Sequence, residues 1–157
     1  MGRLLYLARM SDPDESPAQL EGSISPFVAF TALDARRFSD EKLEMFARTL
    51  LDQGCVYACA WGPDAGRVET AFDVVAVDAE LEGRPYVDDV VMTTSHDDES
   101  LDSALWFSLF AAIPPDLEAW AVLAITDEDW YDQIERRLAD TDQLNAAVLP
   151  EDKDGKA

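Results

Sequence analysis

Two apolar periods alternate along this chain, and that alternation constrains the fold more than any other feature. Pro26-Phe27-Val28-Ala29-Phe30-Thr31-Ala32-Leu33 and Cys55-Val56-Tyr57-Ala58-Cys59-Ala60-Trp61 are almost wholly apolar, as expected of strands buried on both faces. Between them Leu43, Phe46, Ala47, Leu50 and Leu51 recur at helical spacing, which predicts a helix with one apolar stripe. Ser39 suits its N-cap, Asp40 and Glu41 face the helix dipole, and Gly54 suits the residue that ends it. Parallel strands need such crossovers. The expected fold is therefore α/β: a single three-layer domain, with a mostly parallel four- to five-stranded sheet and helices on both faces.

The remaining segments extend this pattern. Leu4–Ala8 reads as a short strand and Ser11–Ser25 as an acidic surface loop. Arg67–Leu81 fits a helix through Val68, Ala71, Phe72, Val75 and Ala79, although its centre also has strand character. A helix is expected because a crossover is required there. Asp88–Thr94 is expected as a third strand, centred on Val90-Val91-Met92. Ser100 caps a helix running through Ile113, which Pro114-Pro115 terminates. Trp120–Ile125 is a further strand. Thr126 with Asp129 resembles a capping box, opening a helix with Trp130, Ile134 and Leu138 on one face. A short helix and a frayed tail follow Thr141. The expected organisation is residues 1–25 as an N-terminal strand and acidic loop, 26–140 as the α/β domain, and 141–157 as a C-terminal tail.

Charge bears on function. The 157 residues carry 33 Asp+Glu against 12 Lys+Arg, a formal charge of −21. Binding to nucleic-acid phosphates is driven by cationic side chains, so neither nucleic acid nor an anionic membrane is expected as a partner. A basic protein is. No apolar run approaches the ~18 residues of a membrane span, and the short apolar run near Met1 does not resemble a signal peptide, so a cytoplasmic protein is expected. Cys55 and Cys59 lie four strand steps apart, about 13 Å, whereas a disulfide needs less than about 7 Å. They are expected as buried thiols.

In parallel sheets, ligands bind outside the carboxyl ends of the strands. Those ends carry Asp34, Trp61 and Asp64, then Thr93 to Glu99, then Thr126 to Asp129. The expected ligand or partner edge is Trp61, Asp64, Thr94, His96, Asp98, Asp127 and Asp129. One use of it is a metal-assisted hydrolase or small-molecule enzyme, with His96 as base beside Asp97 and Glu99 and a divalent cation held by carboxylates. The other is structural, since acids favour helix N-termini. No confident catalytic residue, metal ligand set or cofactor motif stands out: G-x-G-x-x-G and G-x-x-x-x-G-K-[ST] are absent, and adjacent Ser95-His96-Asp97 cannot form a triad. Leu101–Ile113 carries a second apolar stripe, Trp106, Phe110 and Ile113, which suits an interface helix and allows a homodimer.

Gly54-Cys55-Val56-Tyr57-Ala58-Cys59-Ala60-Trp61-Gly62, and Val91-Met92-Thr93-Thr94-Ser95-His96-Asp97-Asp98-Glu99-Ser100-Leu101 running into Leu105-Trp106-Phe107, resemble an uncharacterised bacterial family of small α/β proteins, a domain of unknown function. Its members look like G-C-L-Y-x-x-A-W-G followed by V-M-T-T-W-H-x-x-E-x-L. This chain departs at Ser95, where the family usually has Trp, and at Val68–Asp73. The resemblance implies an α/β fold and groups Trp61, Thr94, His96 and Glu99 as one neighbourhood. Charge, missing nucleophile motifs and the aromatic helix together lead to an expected non-catalytic module that neutralises or escorts a basic protein, in the manner of an immunity protein or antitoxin.

Overall fold

A computed structural model of the chain describes residues 3–10, 25–87, 90–114 and 119–155. The expected loop at Ser11–Ser25 lies outside the described residues except for Ser25. Five strands form one sheet: β1 (Leu4–Arg9), β2 (Phe27–Ala32), β3 (Cys55–Trp61), β4 (Met92–Ser95) and β5 (Ala121–Thr126). Their order is β1-β5-β2-β3-β4, and every pairing is parallel. The three-layer α/β fold is as the alternation of periods predicts.

Two cores sandwich the sheet. On one face, α1 (Asp40–Asp52) and α2 (Ala65–Leu81) bury Leu43, Phe46, Leu50, Val68 and Phe72 against Phe27, Ala29, Ala58 and Leu123. On the other, α3 (Leu101–Trp106), α4 (Glu128–Ala139) and α5 (Thr141–Gly155) bury Leu101, Leu105, Ile134, Leu144 and Val148 against Val28, Phe30, Cys59 and Val122. β2 and β5 are buried along their whole length, which is why their sequences show no alternation. A register shift between Phe27 and Val28 offsets β3, so Cys55 faces the first core and Cys59 the second.

Local rules set most boundaries. The Ser39 and Ser100 hydroxyls accept the Lys42 and Ser103 N–H groups. Gly54 follows α1 at φ +109°, and a Cβ there would stand 2.3 Å from that of Ser25, so only glycine fits this turn.

Four expectations need correction. The third strand is not centred on Val90-Val91-Met92: only Met92–Ser95 pairs with β3, because Val91 is instead packed into the first core and Val90 is half exposed. The cap of α4 is Asp127, whose carboxylate accepts the Asp129 N–H at 3.1 Å, not Thr126, whose hydroxyl turns back to the Asp127 carbonyl. The Ser100-capped helix stops at Ala111, its last turn widened to π geometry over Phe107–Ala111. Helix α5 runs to Gly155 rather than stopping short, because Leu144 and Val148 are one turn apart and both buried.

Candidate functional site

The carboxyl ends of all five strands lie along one rim, as the parallel order requires. β2, β3 and β4 follow one another outward, and the chain then returns across the sheet to insert β5 on the other side of β2. The carboxyl ends of β2 and β5 therefore form the switch point at which such folds usually open a ligand crevice.

Here that crevice is closed by its own residues. Asp127 is buried at 3 % exposure. Its carboxylate accepts the N–H of Asp129 at 3.1 Å and that of Asp34, across the switch point, at 3.4 Å. Burial raises the Asp127 carboxyl above the ordinary carboxylate range. Asp34 is held below it, chiefly by hydrogen bonds from Arg36, whose guanidinium donates to both oxygens at 2.8 Å. Asp64 precedes α2 in a left-handed backbone, φ 63°, makes no side-chain cap, and lies 3.8 Å from the Arg67 guanidinium. Arg67 also donates to the carbonyls of Ala35 and Phe38 and to Asp40. The carboxylates of this half thus serve backbone N–H groups and arginines of the same chain.

A different cluster occupies the β3–β4 half. His96 follows β4, is 6 % exposed, and donates its own N–H to the Ala60 carbonyl at 2.8 Å. Its Nδ1 is hydrogen-bonded to Glu99 and its Nε2 lies 2.8 Å from the Thr94 hydroxyl. An ionised Glu99 accepts from Nδ1–H, and the ring tautomer that donates there can accept the Thr94 hydroxyl at Nε2. Cys59 pairs with Thr94 in register. Burial pushes both Cys59 and Cys55 up to about 12, so both stay protonated thiols at neutral pH. The Phe107 ring packs 4.8 Å from the imidazole. Trp61 donates to the Glu99 carbonyl at 2.9 Å and stacks edge-on against Trp130 at 5.2 Å.

The string Thr94–His96–Glu99 has the order hydroxyl, imidazole, carboxylate that positions a nucleophile, its base and the group orienting that base. Adjacency in sequence had argued against Ser95-His96-Asp97. Skipping alternate strand residues is what brings Thr94 and His96 onto one side, a consequence of the period of two. Trp61, Thr94, His96 and Glu99 are one neighbourhood, as the family resemblance implied.

The edge expected as one cluster is thus divided. His96 and Asp127 end strands three positions apart, about 14 Å at the usual strand spacing. Asp97, Asp98 and Asp129 are exposed. Among the described residues no group of three or more His, Cys, Asp or Glu side chains is disposed to hold a metal ion, and no helix is long and apolar enough to cross a membrane. Of the residues expected to form an interface, Trp106 donates to Asn145 of α5 at 2.8 Å, while Phe110 and, beyond the helix end, Ile113 are 44 % and 68 % exposed.

Comparison with curated proteins and with solved structures finds no significant match. A family model does match, over residues 5–141, spanning every strand but the first residue of β1 and both halves of the rim. The chain therefore belongs to DUF7684, a family defined as a domain of unknown function.

Proposed function

We propose that this protein is a non-catalytic acidic module that binds a basic partner protein, neutralising or escorting it as an immunity protein or antitoxin does. One observation carries the reading: most of the chain's nine arginines are bound to the chain itself. Arg3 donates to the carbonyls of Ser108 and Ala112, Arg9 lies over the Tyr131 ring, and Arg36, Arg67, Arg84, Arg136 and Arg137 bond to carboxylates or carbonyls. These cations are already engaged within the chain, some of them at the surface, which leaves the excess of acids behind the −21 charge unbalanced. Such a field steers and retains cationic proteins and repels anionic ones. The test is co-purification from native lysate, followed by titration of the purified partner across ionic strength. A basic partner whose affinity falls at least tenfold between 50 and 300 mM salt is expected; an acidic partner, or one indifferent to salt, overturns the reading.

The Thr94–His96–Glu99 string favours a second reading, hydrolysis of a small ester. The Thr94 oxygen would attack the acyl carbon, its proton passing to His96 Nε2 and then to the departing alcohol; water would release the acyl group by the same route. Turnover of a short-chain ester that is lost in Thr94→Val and His96→Gln supports it. Equal rates in wild type and both variants overturn it.

A further inference from the structure

We propose that the outward face of α2, with the segment that follows it, is the docking surface for a basic amphipathic helix of the partner. This inference rests on the binding reading above and names where, and with what chemistry, it happens. A helix laid on a sheet needs one apolar stripe, and α2 has it: Ala65, Val68, Ala71, Phe72 and Val75 are buried. It carries a second row on the opposite side. Val74, Val77 and Leu81 stand at i, i+3 and i+7 and are 38 %, 51 % and 80 % exposed. Val90, 50 % exposed, lies beside them, and a shallow groove of about 110 Å³ runs between, lined by Asp73, Val77, Glu80, Tyr86 and Val90. Fold stability gives no account of this row, because its side chains are presented to water.

The rim of the groove identifies the occupant. Asp73, Asp78, Glu80 and Glu82 are exposed around the apolar row, and the nearby Arg84 is already bonded to Glu82 at 3.0 Å. An apolar floor between acidic margins complements a helix with one apolar stripe flanked by Lys or Arg, the helix-in-groove mode of recognition. A second copy of this chain does not fit, since it would bring the same acids against these. Anionic membranes and nucleic acids are repelled for the same reason.

The experiment uses the full chain and, as probe, a synthetic 18-residue amphipathic helix of Leu and Lys. Its control is a scrambled peptide of identical composition without a stripe. Binding is followed by anisotropy and mapped by amide chemical shifts. The amphipathic probe should bind at least tenfold more tightly than the scrambled one and perturb the amides of residues 73–82 and 90–92. Val77→Glu, an exposed change checked for an unaltered melt, should weaken binding at least tenfold. Phe110→Glu, on the other exposed apolar face, should leave it unchanged. Tight, salt-dependent binding that maps elsewhere and ignores Val77→Glu overturns this surface but leaves the acidic-module reading standing. No binding of either cationic peptide at 50 mM salt overturns both.

Discussion

The two halves of the strand-end rim employ their carboxylates in opposite ways. On the β2–β5 side, Asp127 is buried and accepts two backbone N–H groups, sealing the switch point that similar folds leave open. On the β3–β4 side, Glu99 stays 41 % exposed and holds an imidazole, which holds a hydroxyl. One carboxylate fixes the main chain and the other orders side chains. Position along the rim therefore says little about role; the groups a carboxylate accepts from decide it.

Removing what joins the halves should have the largest effect. Gly62 lies between them at φ +118°, and a Cβ there would stand 2.3 Å from the Leu33 carbonyl oxygen. Gly62→Ala should cost on the order of 3 kcal/mol and lower the melting temperature by roughly 10 °C. Next is the sealed half: Asp127→Ala loses the cap of α4 and the link to Asp34, at about 2 kcal/mol, while Asp127→Asn should lose less than half of that. In the open half, His96→Ala should cost about 1.5 kcal/mol through lost packing against Phe107. Glu99→Ala should cost under about 0.5 kcal/mol, since its partner can turn to water. Chemical denaturation of the five variants checks the order, and a Glu99→Ala variant worse than Asp127→Ala would erase the contrast.

A titration sharpens the contrast within the sealed half. Asp127 has a raised carboxyl, so its contribution to stability is present below the unfolded value of about 3.9 and is lost as pH rises through its folded value. Asp34 is depressed, so its contribution is present above about 3.9 and lost as pH falls through its folded value. Carboxyl-carbon chemical shifts should show Asp127 titrating at higher pH than Asp34.

How much of this was legible depended on what each residue answers to. Phe27–Ala32, Cys55–Trp61 and Ala121–Thr126 announce themselves because burial on both faces demands apolar residues at every position. β4 does not, because Thr93, Thr94 and Ser95 are recruited by backbone pairing with Ala58, Cys59 and Ala60, while the more apolar Val90-Val91 beside them only fills space. The cap of α4 was misassigned by one residue: Thr126 and Asp127 are both good caps, and only the path of the chain out of β5 selects between them. The His96 neighbourhood was legible from the family blocks. Its separation from Asp127 was not, since that depends on strand order, which local periodicity does not encode.

That strand order has a consequence for synthesis. β5 is inserted between β1 and β2, so the first strand made has no described neighbour except one of the last. A nascent chain halted before Ala121 would hold Phe27–Ala32 with one ladder open along a wholly apolar segment, a template on which another unfinished chain can polymerise. Arrival of Ala121–Thr126 closes that seam from both sides at once. Termination after β3 but before Ala121 should therefore yield aggregates, whereas trimming through Arg9 removes only an outer strand and leaves the central seam joined.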